Sequence, residues 1–252
     1  SGLAMALQGK GILTQDVITP SSGILIDNQT GGTVSFGTIN LGQTNPISGN
    51  GVTITDGSST SAVNLGTLNL RQVGGTISVI ITEYDGTVTS TAGTISSTNI
   101  QAININGPVG LTTLGMTLTS VSSNAGVNGI SIQDTNGSFT VNGSGPAGTG
   151  GTISGTSGDG VSVTNAAGID LRGMLIQNNL GNGVWATNTV GFDISNTDLI
   201  NNGDNDVLDE ANLHFEGVTG SVDFNNLEMA DPVESNALIR LSSGSLNFTM
   251  IN

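Results

Sequence analysis

The densest run of chemistry-bearing side chains in this 252-residue sequence is GDNDVLDE, which carries Asp204, Asp206, Asp209 and Glu210. Carboxylate oxygens at alternating positions suit calcium, a hard cation that takes oxygen ligands. Asp204, Asp206 and Asp209 are therefore the candidate metal ligands, and calcium is the one cofactor the sequence suggests. The spacing departs from a helix–loop–helix calcium loop: Asp204 and Asp206 fit, but Leu208 and Asp209 stand where a third ligand and a glycine belong. A solvated acidic loop is the plainer reading. The single histidine, His214, excludes multi-histidine metal sites and leaves a Ser-His-Asp triad only with itself as base. It alternates with Leu213 and Phe215, as an outward-facing strand residue would. Trp185 in GVWATN and Tyr84 in EYDG are candidate ligand-binding residues, as platforms on which a sugar ring stacks. Packing in a core or a turn is the plainer role for both.

Carbohydrate chemistry sets further requirements. A lyase acting on a uronate needs a basic residue at the proton it removes, commonly with calcium. Arg71, Arg172 and Arg240 lie far apart in sequence, and Arg172 and Arg240 share no obvious groove with the acidic run. A glycoside hydrolase needs two carboxyl groups about 5–10 Å apart, one of raised pKa. Asn196-Thr197-Asp198 resembles a fragment of the polygalacturonase signature, but the double Asp, the Gly-His-Gly and the Arg-Ile-Lys of that pattern are missing. No catalytic residue is assigned on these grounds. Ice binding would need unbroken T-x-T ranks; Thr53/Thr55, Thr87/Thr89 and Thr117/Thr119 are interrupted by Asn, Ser and charged residues.

These residues sit in an unusual chain. Gly, Thr, Asn and Ser (39, 32, 28 and 27 residues) make up half of it, charged residues only 9 %, aromatics 3 %, and there is no Cys. Disulfides and thiolate metal sites are thereby excluded. Four basic residues against nineteen acidic ones give a net charge of −15, the wrong sign for a nucleic-acid binder. No apolar run is long enough to span a membrane, and the opening SGLAMALQGKG lacks the apolar core of a signal peptide. Sparse charge and recurring Val, Ile and Thr argue against disorder. Helix is disfavoured because these four common residue types are poor helix formers.

A repeat organises the chain. A short alternating strand, a Gly- or Asn-bearing turn and a second strand recur. The first strand reads GILID, GVTIT, SVIIT, AININ, GISIQ, GVSVT, GVWAT, NLHFE and ALIRL, nine units whose starts lie 23 to 31 residues apart. Examples of the second strand are TVSFGTINL from Thr33 and IDLRGMLIQNN from Ile169. Gly and Asn in the turns supply positive φ. Within each strand every second side chain shares a face, as Ile24/Ile26, Ile130/Ile132 and Val161/Val163 do. One unit cannot bury its own stripe, so neighbouring units must stack. The fold class is all-β, a single-stranded parallel β-helix of about nine coils, forming a rod roughly 40 Å long at about 4.8 Å per coil. A β-sandwich is the competitor, but hairpins give no reason for the opening motif to recur.

The domain reading places an N-terminal cap or partial coil at 1–22 and the β-helix at 23–252, open at its C-terminal end because SLNFTMIN stops inside a strand. A segment cut from a longer stack, or an end used for assembly, would account for that edge. Charge is skewed: residues 1–126 hold five acidic and two basic groups, net −3, and 127–252 hold fourteen and two, net −12.

The stretch from Gly150 is similar to right-handed parallel β-helix repeat proteins of bacterial surfaces and secretions, also called β-strand-repeat proteins. The matching phrases are GTISGTSGDGVSV, LRGMLIQNN, GNGVWATN and GFDISNTDLINNGDN, continued by LHFEGVTGSVDFNNLEM. The resemblance implies a right-handed coil, an extracellular or cell-surface location, and a repetitive scaffold or adhesin role with no shared catalytic set. The main expectation is thus a non-catalytic module of a large exported bacterial protein, and not an enzyme. Its partners would be a host-cell surface, extracellular matrix or glycan, or copies of itself, with neither nucleic acid nor membrane insertion. The alternatives are a subunit of a fibre assembled end to end, and a carbohydrate-binding or polysaccharide-degrading β-helix.

Overall fold

The computed structural model describes residues 12–15, 22–108, 110, 112–204, 209–240 and 242–249. The short alternating runs form strands, and every strand pairing among these residues is parallel. That excludes the hairpins of a sandwich. Each strand pairs with its equivalent one unit later: Ile130 lies opposite Val161, and Val161 opposite Val184. The chain is a parallel β-solenoid. Its first face holds nine strands, hence about eight turns, close to the nine units read from the sequence.

Each turn carries strand on three faces. The second strand of the sequence repeat divides in two: TVSFGTINL becomes Gly32–Ser35 on the second face and Thr38–Leu41 on the third. Toward the C-terminal end the division disappears, and Val190–Ile200 and Ser221–Ala230 run through both faces, joining them into one sixteen-stranded sheet. The segment Ile12–Gln15 pairs with Thr38–Leu41, so it belongs to the third-face ladder of a preceding coil.

The inward side chains are the ladders expected from alternation. Val52, Val79, Ile103, Ile130, Val161, Val184 and Leu213 lie in register along the first face, all fully buried. Each such side chain contributes roughly 1.5–3 kcal/mol of burial. Aromatic residues widen the core at the acidic end, where Phe192, Phe215 and Phe224 pack with ring centroids 5.0 and 5.6 Å apart.

The corners explain the Asn and Gly content. Asn28, Asp56, Glu83, Asp134, Asn165 and Asn188 take positive φ at the C-terminal ends of six of the nine first-face strands. Asn is one of the few residues with a side chain that tolerates this region. Another corner carries a buried amide ladder. Thr156 Oγ1 donates to Asn179 Oδ1, Asn179 Nδ2 to Asn202 Oδ1, and Asn202 Nδ2 to Asn212 Oδ1, each at 2.8 Å. Asn212 Nδ2 continues to Asn236 Oδ1 at 3.0 Å.

Candidate functional site

Three strands of the second face build the acidic groove. Ala167–Arg172, Val190–Ile200 and Ser221–Ala230 each open with an apolar–Asp–apolar triplet: Ile169-Asp170-Leu171, Phe192-Asp193-Ile194 and Val222-Asp223-Phe224. The apolar residues point into the core and are fully or almost fully buried, so alternation drives each Asp outward. Register sets Asp170 opposite Asp193, and Asp193 opposite Asp223 one coil further on. The result is a column of three outward aspartates on neighbouring strands, whose backbones are spaced about 4.8 Å from coil to coil. The column faces an open groove of about 460 Å³. One wall is the GSGPAGTG insertion that follows Thr135–Asn142, represented by Gly143, Ser144 and Gly145; Ser195, Asn196 and Asn225 add polar groups.

The three carboxylates have different surroundings. Asp170 is bound by Arg172, two residues along the same strand: Nε donates to Oδ1 and Oδ2 at 3.0 and 2.9 Å, and a terminal nitrogen to Oδ2 at 2.6 Å. That pairing holds the Arg172 pKa above its usual value. Asp193 is in the middle. Burial raises its pKa; the Asp223 backbone N–H, which donates to it at 3.0 Å, opposes this, and the charges of Asp170 and Asp223 add to the rise. Asp223 accepts from Asn247 Nδ2 at 2.7 Å and is otherwise exposed. The groove thus sets a carboxyl group of raised pKa beside carboxylates that are hydrogen-bonded or ion-paired.

These groove residues escaped assignment from the sequence. The available signal was the apolar–Asp–apolar triplet at one place in three consecutive units. Of the Asn196-Thr197-Asp198 fragment, Asn196 lines the groove and Thr197 is buried, accepting from the Met174 backbone N–H. Asp198 turns outward on the third face opposite Glu228. Its pKa is raised by burial and then by that neighbour.

The other sequence candidates are dispersed. Asp204 is exposed. Asp206 lies outside the described residues. Asp209 accepts two hydrogen bonds from the Arg240 guanidinium, at 2.8 and 3.0 Å, which lower its pKa. Among the described residues no three His, Asp or Glu side chains converge in a way that would hold a metal ion. Both arginines meet carboxylates: Arg172 pairs with Asp170 two residues along its own strand, and coil stacking brings Arg240 to Asp209, which is remote in sequence. Tyr84 is corrected to a core residue: its ring is fully buried and its hydroxyl donates to Gln29 Oε1 at 2.9 Å, so it presents no face to a sugar. Trp185 is 38 % exposed on the first face. His214 also points outward in register beside it, but is only 6 % exposed and stacks on the indole at 5.8 Å.

No protein-family model matches the chain, and no curated protein matches it in sequence. Among solved structures it is similar to the enzymatically active domain of tailspike protein 2 of bacteriophage CBA120, at 12 % identity and a TM-score of 0.43 over 88 % of this chain and 43 % of that one. It is also similar to a full-length tailspike protein 2 of an Escherichia coli O157:H7 bacteriophage, at 13 %, 0.45, and 89 % against 38 %. A third is the A-module of a mannuronan C-5 epimerase of Azotobacter vinelandii, at 12 %, 0.25, and 96 % against 88 %. The chain spans about two fifths of the length of the tailspike chains. Two of the three are named for an enzymatic activity. The expectation of a non-catalytic scaffold or adhesin module is corrected accordingly and set aside; at these identities and TM-scores what is shared is the parallel β-helix fold alone.

Proposed function

We propose that this chain is a polysaccharide-processing β-helix that binds and hydrolyses a neutral glycan in the Asp170–Asp193–Asp223 groove. The observation that supports this is the column of stacked aspartates in one open groove, with the pKa of its central member raised. Glycoside hydrolysis needs such a pair, one member protonated and the other ionised. In this reading Asp193 gives its proton to the glycosidic oxygen, and the C1–O bond breaks as the leaving sugar takes that proton. Asp223 attacks C1, and water activated by Asp193 then releases the glycosyl group. Arg172 fixes Asp170, whose charge helps keep Asp193 protonated. Because this route passes through a glycosyl–Asp223 intermediate, the product anomer should be retained.

The substrate class follows from charge. At −15 the chain repels uronates and sulfated glycans, and Arg172 is already paired. Neutral hexose or N-acetylhexosamine polymers fit better, and an extracellular setting goes with them. The test is release of reducing ends from a panel of neutral and anionic polysaccharides. Asp193→Asn and Asp223→Asn should each lower the rate at least about 100-fold. The rate should also fall as pH rises through the raised pKa of Asp193. Equal activity of Asp193→Asn on every polysaccharide cleaved would sink the assignment.

A further inference from the structure

A second feature lies on the first face, one corner away from the groove. The outward positions there run Thr53, Ile80, Asn104, Ser131, Ser162, Trp185, His214 and Leu238 in register. Trp185 is the only tryptophan of the chain. Its strand neighbours Val184 and Ala186 are buried, so alternation holds the indole outward. His214 covers one side of it, with planes 23° apart. The residue in register on the other side is Ser162, too small to cover an indole. The polar atoms beside the pair are also unspent: Thr187 Oγ1, two residues along the same face, and both ring nitrogens of His214 have no protein partner. These are three of the six such atoms among the described residues, and buried polar groups ordinarily find partners.

We propose that Trp185, backed by His214, is a saccharide-stacking subsite that takes the apolar face of a neutral pyranose over Ser162. This rests on the polysaccharide reading and deepens it, adding a contact remote from the bond cleaved. The chemistry favours a sugar over other ligands. A pyranose ring offers a flat C–H face that one indole can match. A quaternary ammonium needs several aromatic walls, and among the described residues only the His214 ring stacks on Trp185. An anionic sugar would meet Glu216, in register with Thr187.

Because Trp185 is the only tryptophan, intrinsic fluorescence reads this site alone. The protein is titrated with gluco-, manno-, galacto- and N-acetylglucosamine oligosaccharides, with choline as the cationic control, and polysaccharide retention is followed by affinity electrophoresis. A saturable emission change is expected with a neutral oligosaccharide. Trp185→Ala should weaken retention at least about fivefold, and Trp185→Phe should restore part of it. Unchanged circular dichroism keeps folding out of the comparison. Asp193→Asn should stop cleavage and leave the emission change intact. If wild type cleaves or retains a glycan while its emission does not respond, or Trp185→Ala is retained equally, the subsite falls and the groove reading stands. If emission responds but nothing is cleaved, the groove reading falls and the subsite stands. A response to choline alone, or to nothing with no polysaccharide retained, overturns the subsite.

Discussion

A side chain here is defined by which coil stands above and below it. Asp193 is an ordinary residue of an alternating strand until Asp170 and Asp223 arrive on either side. The same holds for His214. Burial lowers its pKa first and the Arg240 charge adds to this, while Glu216, Asp209 and Asp159 oppose. Neutral His214 is therefore favoured in the folded state. Its contribution to stability is fully present above the ordinary histidine value and is lost as pH falls through the lowered one. Thermal unfolding followed from about pH 7.5 to about pH 5 should show a steeper loss for wild type than for His214→Phe, which keeps a stacked ring without a titrating group. Parallel curves would remove His214 as the cause. Trp185 and His214 were both visible as residues of interest, but their stacking was not, because Trp185 and His214 are joined only through coil register.

At the scale of the element, the corners do as much as the strands. The amide ladder from Thr156 through Asn179, Asn202 and Asn212 to Asn236 satisfies groups that would otherwise be buried without partners. Asn202→Ala would strip a partner from both Asn179 and Asn212 and should cost roughly 2–4 kcal/mol, read from urea unfolding. A cost below about 0.5 kcal/mol would mean that the ladder is incidental. The strands themselves were legible: GVSVT and GVWAT became Val161–Thr164 and Val184–Thr187. The split of the second strand into two faces was less so. A bend there needs only one residue at positive φ, such as Gly66 or Gly173, and glycine is too common in this chain to single those out. The acidic-loop candidate shows the same limit. Asp209 and Arg240 lie in successive units, and nothing local indicates that a guanidinium will arrive.

The whole molecule is a stack in which each coil depends on its neighbours, with its charge concentrated toward one end. Like charges at one-coil spacing repel, and four basic residues cannot offset nineteen acidic ones. Salt shortens that repulsion. The unfolding midpoint should therefore rise when sodium chloride is increased from about 20 mM to about 500 mM, and a fall would show that the Arg172 and Arg240 pairs outweigh the column. The same field explains why neutral glycans suit this molecule better than charged ones.

Period and alternation were enough to specify the solenoid, since a unit of 23 to 31 residues with a thin apolar stripe has no way to bury itself except against its own copy. Composition then followed from position, with Gly and Asn at many of the positive-φ corners. The groove was settled elsewhere. Units of unequal length leave the coil-to-coil alignment open, and a shift of one residue in any of the three strands would turn its Asp toward the core and break the column. The alignment adopted keeps Ile169, Leu171, Phe192, Ile194, Val222 and Phe224 buried, and the carboxylate column comes with it.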